Sequence, residues 1–426
     1  MPTAIVTGAT GKNLPLHHHG GSQDAGMTGH AIVEALQKND KYKKIFTMSR
    51  SQQREDSPKT QHATLDLQAD AKDMAKQLES LPEIDHIFFC AYLAKDQEDE
   101  ADKVNTAMLS NFIDALEITG HCKTLTRFIL TCGLKQYGVH LGKPKNPMYE
   151  SDDPEAHLTG DVHPPNFYYS QQRILSSAAS KQGWSWVCTY PQDVIGYARG
   201  NFMNLSTSLG LYAAVSAAMP NNQLVFPGNK INYLAFNCWT SARLHAEFCL
   251  WAAEAEGAAN QGFNVVNGDT QSWQDIWPRI AKCFGAKLPE HMFPGNAEIA
   301  YPGWESTEMD LLSRPPIAEF ENGMGLKGEF KQSRVHCQID LIKWAKKEEV
   351  VKAWQKVRDE YGLEQDAWDK ATWGFLTFLV GRQYDCVVSM SKARKLGWTG
   401  YRDTWDEFAH AFDVLAQEKI LPPKKA

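Results

Sequence analysis

The chain has 426 residues and a mass of 47.9 kDa, above the roughly 100–200 residues of an ordinary domain, so one large α/β unit with an added cap is expected. Its net charge of -7 and pI near 6.1 arise from mixed acids and bases, which leave no basic stripe for nucleic acid and favour a small-molecule partner. Nine scattered cysteines, none in C-x-x-C spacing, argue against a disulfide framework or a thiolate metal site and read as reduced, mostly buried thiols of a cytoplasmic protein.

The N-terminus enters an apolar strand, Ala4 to Thr7, without a basic leader, so secretion is not expected. A helix follows at His30 to Leu36, with Ile32, Val33 and Leu36 on one face. Lys44 to Ser49 and His86 to Cys90 read as further strands, Val104 to Leu116 as a helix, and Arg127 to Thr131 as the next strand. A helix after Tyr168 and the strand Trp186 to Tyr190 complete the alternation, which predicts a Rossmann-type, doubly wound parallel sheet over residues 1–200. From 201 to 426 the pattern loosens into long, aromatic-bearing helices, with core elements returning near 225–270, including a strand at Gly262 to Val266. Ten of the 13 tryptophans lie from Trp251 onward, the composition of a helical cap packed on large rings. The run Lys346-Lys347-Glu348-Glu349 suits a solvated helix face. The most apolar later stretch, Gly210 to Met219, is well short of the roughly 18 residues that suggest a membrane span.

Thr7-Gly8-Ala9-Thr10-Gly11 follows the first strand, where a tight turn brings backbone N–H groups and a helix N-terminus to a pyrophosphate. Lys12 to Gly26 then intervenes before Met27-Thr28-Gly29 opens the helix. Removing those residues restores the G-x-x-G-x-x-G spacing of extended short-chain reductases. The segment is either a loop extension or a short intron translated in frame, since Gly11-Lys12 can be encoded by a donor-like GTAAG. Its consecutive His17, His18 and His19 do not converge readily on one ion and read as an exposed loop. At the end of the second strand, Ser49-Arg50 offers no acid for a ribose hydroxyl. Arg50 suits a 2′-phosphate instead, which points to NADPH.

The usual short-chain reductase carries Y-x-x-x-K on one helix, but four residues after Tyr168 stands Gln172, and four after Tyr169 stands Arg173. A lysine is available on a different segment, Thr131-Cys132-Gly133-Leu134-Lys135-Gln136-Tyr137-Gly138. Asn166-Phe167-Tyr168-Tyr169 carries the tyrosines. With the glycine-rich first strand, these two segments resemble the progesterone 5β-reductase and iridoid synthase-like (PRISE) group of short-chain reductases, in a fungal-type branch. That group takes its lysine from T-G-x-K-x-Y-x-G and its tyrosine from N-F-Y-Y-x-x-E-D. Phe263 to Asp269, Tyr190 to Gly196 and Ser389 to Trp398 extend the likeness over nearly the whole chain.

The resemblance implies an NADPH-dependent reductase of α,β-unsaturated carbonyl compounds. Tyr168 would be the oxyanion donor and Lys135 the cation, with Tyr169 as packing residue or alternate. It further implies cofactor contacts from Thr7, Gly8, Thr10, Gly11, Met27, Gly29, Ser49, Arg50, Asp66, Leu67, Ala91, Tyr92, Thr131, Pro191 and Val194. The substrate would be an enone or enal, its size set by Phe202, Met203, Leu205 and Leu209. A second copy of the chain is a candidate partner; nucleic acid, membrane and metal are not expected. Gln172 and Arg173 replace the group's acidic pair, and Tyr190 stands where plant members have arginine. A divergent epimerase or carbonyl reductase using Tyr169 and Arg173, and a nucleotide-binding regulator without chemistry, are the alternatives.

Overall fold

The computed structural model describes residues 1–8, 26–50, 57–160, 163–197, 204–294 and 300–425. Its first part alternates strands β1 (Thr3–Thr7), β2 (Lys44–Ser49), β3 (Thr60–Thr64), β4 (His86–Phe89), β5 (Arg127–Thr131) and β6 (Ser185–Pro191) with helices. The helices are α1 (Met27–Lys38), α2 (Ala71–Leu78), α3 (Glu98–Thr119), the single turn α4 (Pro154–His157) and α5 (Phe167–Gln182). After β7 (Val194–Ile195), α6 (Leu205–Ala218), α7 (Lys230–Leu234) and β8 (Thr240–Ser241), the chain returns through α8 (Ala242–Glu254) to β9 (Gln261–Val265).

Seven strands form one sheet in the order β3-β2-β1-β4-β5-β6-β9, and every pairing in it is parallel. This is the predicted Rossmann-type fold. β1 and β4 are buried along their whole length, as strands covered on both faces must be. α1 packs against α8, and α3 against α2 and α5, which supplies the two covering layers. Strand order reverses between β1 and β4, so the crevice beyond their C-terminal ends is where this topology places a ligand.

Local chemistry sets the helix ends. α3 begins six residues before the predicted Val104, because its first turn is Glu98, Asp99 and Glu100: acids favour the positive end of the helix dipole but carry no apolar period. It stops at Gly120, whose φ of 79° gives the left-handed cap. α5 is capped by the Asn166 side chain, which accepts from the Tyr168 N–H, and closes on Gly183.

The cap adds α9 (Trp273–Phe284), β10 (Thr307–Asp310), α10 (Glu321–Met324), β11 (Arg334–Cys337), α11 (Leu341–Trp344), α12 (Glu348–Tyr361), α13 (Gln365–Asp369), α14 (Trp373–Gly381), α15 (Ser391–Lys395) and α16 (Thr404–Gln417). The expectation of long cap helices holds for α6, α12 and α16, whereas α7, α10, α11, α13 and α15 have four or five residues each. Ring packing explains how α11 and α13 hold. Trp344, Trp354, Trp368 and Trp373 meet with centroids 5.1–5.9 Å apart although they come from four different helices.

Two buried clusters result, one beneath the sheet and one in the cap. The chain visits them in turn: α6 belongs to the cap, α8 and β9 to the sheet, α9 to the cap, Tyr384 to Trp398 to the sheet again, and α16 to the cap. Leu205 and Leu209, expected on a substrate wall, are fully buried in the cap core; Phe202 and Met203 lie outside the described residues. All nine cysteines are free thiols, and all but Cys283 are buried. Among the described residues, no helix is long and apolar enough to cross a membrane.

Candidate active site

The nucleotide side of the crevice is built from the ends of β1, β2 and β4. Gly8 has φ 70°, and a Cβ there would stand 2.9 Å from the backbone of both Cys90 and Ala91, so only glycine lets β1 turn this close to β4. The Cys90 N–H points to Thr7 Oγ1 at 3.3 Å. α1 starts directly after Gly26. Among the described residues no side chain caps it and no acid lies in its first turn, so among them nothing competes with an anion for its leading N–H groups and positive end. Met27 and Gly29 are buried in that first turn. Thr10 and Gly11 lie outside the described residues.

Ser49 is buried at the end of β2 and Arg50 is exposed beside it. The Ser49 carbonyl accepts the Leu65 N–H at 3.0 Å, which brings the Asp66-Leu67 turn to the same edge. Asp66 also stabilises that turn by accepting from the Gln68 N–H at 3.0 Å, while Leu67 is core. Ala91 and Tyr92 are half-buried after β4. Their segment is fixed by the buried Asn105, which exchanges hydrogen bonds with the Leu93 N–H and carbonyl at 2.7 and 2.8 Å. An uncapped helix start, a glycine turn against backbone and an exposed arginine at the β2 edge together fit a phosphorylated dinucleotide.

The reacting side lies beyond β5 and β6. Thr131 ends β5, with Oγ1 3.3 Å from Cys90 Sγ. Asn166 then holds the two predicted catalytic segments together: its Oδ1 caps α5 at the Tyr168 N–H, and its Nδ2 donates to the Lys135 carbonyl at 2.9 Å. The adjacent tyrosines diverge. Tyr169 is 3% exposed and its hydroxyl donates to the Gln136 carbonyl at 2.7 Å, which makes it a packing residue. Tyr168 is half-buried, and its hydroxyl has no hydrogen-bond partner among the described residues. That hydroxyl lies 3.1 Å from where a Cβ on Gly133 would stand, so glycine at 133 leaves it room. Burial, followed by the neighbouring Cys132, Tyr92 and Glu98, pushes the Tyr168 phenol well above its usual range. The phenol is therefore neutral and can donate.

The Tyr92, Phe167 and Tyr168 rings form a continuous wall, with Tyr92 stacked on Phe167 at 6.3 Å and Phe167 edge-on to Tyr168 at 4.6 Å. Arg173 instead faces Glu155 at the surface, so Tyr169 and Arg173 do not form a substitute for Y-x-x-x-K. Gln172 donates to Gln136 Oε1 at 2.8 Å and accepts from the Tyr190 hydroxyl at 2.6 Å. A neutral network thus occupies the place of the acidic residue that the resemblance led one to expect.

Pro191 is buried at the end of β6, and Val194 is half-buried in the turn beyond it. Between them Asp193 adopts φ 34° and accepts from Arg382 at 2.6 Å; Arg382 is 1% exposed. The sequence reading missed Asn166, Glu98 and Arg382. Asn166 was within reach, since an Asn directly before a helical run is a capping signal. The others act through residues far along the chain.

Against known proteins, the PRISE-like Rossmann-fold domain family matches residues 24–298. An uncharacterized protein of Schizosaccharomyces pombe is 38% identical over 424 residues, 98% of each chain. The (S)-8-oxocitronellyl enol synthase of Camptotheca acuminata is 27% identical over 83% of this chain and 79% of its own length. The 3-oxo-Δ4,5-steroid 5β-reductase of Arabidopsis thaliana is 25% identical over the same shares.

Proposed function

Because the chain belongs to the PRISE-like Rossmann-fold family, an oxidoreductase family, we propose that it is an NADPH-dependent reductase of α,β-unsaturated carbonyl compounds. NADPH, when bound, supplies the hydride that reaches the β-carbon of an enone or enal. Thr7, Gly8 and the start of α1 would hold the pyrophosphate, and Arg50 the 2′-phosphate. Hydride addition moves negative charge onto the carbonyl oxygen, and the enolate so formed needs a donor already in place.

The observation that carries the reading is the neutral hydroxyl of Tyr168, without a hydrogen-bond partner among the described residues, on an otherwise hydrogen-bonded helix start. An oxyanion donor needs that combination; a tyrosinate base does not. The aromatic wall of Tyr92 and Phe167 beside it excludes water from an apolar conjugated substrate. The steroid named for the Arabidopsis relative is itself a conjugated ketone, which supports the substrate class.

The test is NADPH oxidation with a simple cyclic enone, a steroid enone and an aliphatic enal. Tyr168→Phe should fold, bind NADPH and lose roughly 10²–10³ in kcat, the cost of one oxyanion donor. A fully active Tyr168→Phe enzyme on all three substrates would remove the mechanism.

A further inference from the structure

Tyr168 and Tyr169 are held in different ways. The Tyr169 hydroxyl is tied down by the bond it gives to the Gln136 carbonyl, whereas that of Tyr168 has no partner among the described residues and is located by contact. The Tyr168 ring stands edge-on to Phe167 at 4.6 Å, and its hydroxyl lies beside the bare Cα of Gly133. A Cβ at 133 would be 3.1 Å from that hydroxyl, inside ordinary van der Waals contact. Every other contact outside the adjacent residues would be ordinary, starting with the Pro191 carbonyl oxygen at 3.5 Å and Tyr168 Cε2 at 3.9 Å. Gly133 itself is fully extended, with φ 171° and ψ -172°, so the site uses its missing Cβ and not a left-handed turn. The turn around it is held on both sides. The Cys132 N–H donates to the Thr189 carbonyl at 2.9 Å, the Gln136 N–H to the Gly133 carbonyl at 3.0 Å, and Asn166 Nδ2 to the Lys135 carbonyl at 2.9 Å. Lys135 Nζ adds a bond to Glu98 Oε1 on α3 at 2.7 Å.

We propose that Gly133 is a positioning residue: its lack of a side chain sets where the Tyr168 hydroxyl stands and leaves that hydroxyl's hydrogen bond to the substrate. This rests on the reading of Tyr168 as oxyanion donor and adds what preorganises it. A donor for an enolate has to be in place before charge develops, yet a hydrogen bond from it to the protein would compete with the substrate oxygen. Contact with a bare Cα locates the oxygen without occupying it. One methyl group at 133 is enough to disturb the arrangement, because the backbone around it is bonded in place and the phenol oxygen is the atom that has to give, by a few tenths of an ångström.

The test compares the native protein with Gly133→Ala, whose added methyl is tight against that hydroxyl alone. Crystal structures of the two should show the Tyr168 oxygen displaced from residue 133 by a few tenths of an ångström, with the turn after β5 unmoved. With an enone, kcat should fall about tenfold, since a misplacement of about 1 Å costs roughly 10²-fold, while the Kd for NADPH stays within about twofold. In the Tyr168→Phe background no hydroxyl remains to be displaced, so the same alanine should change kcat by less than about twofold. An unmoved Tyr168 oxygen, an unchanged kcat, equal losses in the two backgrounds or a weakened NADPH affinity would each overturn the role of Gly133. Should Gly133→Ala fail to fold, the double variant Gly133→Ala, Tyr168→Phe should fold, and failure of both overturns the role as well. A displaced oxygen in a protein whose native form reduces no enone supports Gly133 and counts instead against the proposed function.

Discussion

Arg50 stands exposed at the β2 edge with no acid beside it in sequence, which is the arrangement a 2′-phosphate selects and a bare ribose does not. Arg50→Ala should raise the KM for NADPH at least tenfold and leave that for NADH little changed, a loss of roughly 1.4 kcal/mol or more of phosphate recognition. An unchanged ratio of the two KM values would take Arg50 out of the adenosine site. At this scale the sequence was readable where chemistry and local spacing coincide. Tyr168 and Lys135 sit in short motifs, and Asn166 joins those motifs by one side chain. Glu98 was not readable: it lies 37 positions before Lys135 among several other acids, and nothing in its neighbours distinguishes it.

Between β1 and α1 the described ends of the long intervening segment are already joined. The Gly26 N–H donates to the Gly8 carbonyl at 2.8 Å although the two residues are 18 positions apart. Gly11 already stands three positions after Gly8, the separation at which a β-turn makes this same bond, so after removal of Lys12 to Gly26 its N–H could take the place of that of Gly26. Gly11 would also replace Gly26, glycine for glycine, directly before Met27. The deletion should retain the fold and bind NADPH more tightly, as titration calorimetry on both forms would reveal. Equal affinity, or an unfolded deletion, would make the segment a structural part of the protein. Elements with a strong period were legible in the same way: β1, β2, β5 and β9 fall within a residue or two of their predicted bounds. The start of α3 was not, since an acidic first turn carries no hydrophobic rhythm. The short helices α11 and α13 were invisible because tryptophans from separate elements, not local propensity, hold them in place.

Across the whole molecule, the cap and the sheet are tied at the turn after β6. Arg382 and Asp193, 189 positions apart, form a buried pair there, and removing one partner strands the other's charge. Arg382→Met should lower stability by about 3 kcal/mol, with part of the loss recovered in the double variant Arg382→Met, Asp193→Asn. Denaturant unfolding followed by tryptophan fluorescence would measure both, and equal midpoints for the single variant and the native protein would refute the pair's importance.

β4 and α8, which packs on the sheet, each carry a buried neutral histidine. Burial holds His86 at about 4 and His245 at about 3, each below the ordinary 6.5. The unfolded chain therefore binds more protons between these values, so stability is fully present above about 6.5 and falls as the pH drops through the acid range. Each histidine contributes roughly 1.4 kcal/mol per pH unit within its window. The unfolding midpoint should fall steadily from about pH 6.5 to about pH 4, and less steeply in His245→Gln; a flat profile would show that these rings are charged in the fold.

Because the polypeptide passes repeatedly between the two cores, the cap is not a detachable cassette. No single cut separates it from the sheet, and a protease nicking one loop would leave both portions interlocked. Exchanging the cap with that of a relative therefore requires replacing at least two stretches at once, one between β7 and β8 and another beyond β9. Natural variation faces the same arithmetic: new preferences are reached sooner through individual side chains than through recombination of blocks.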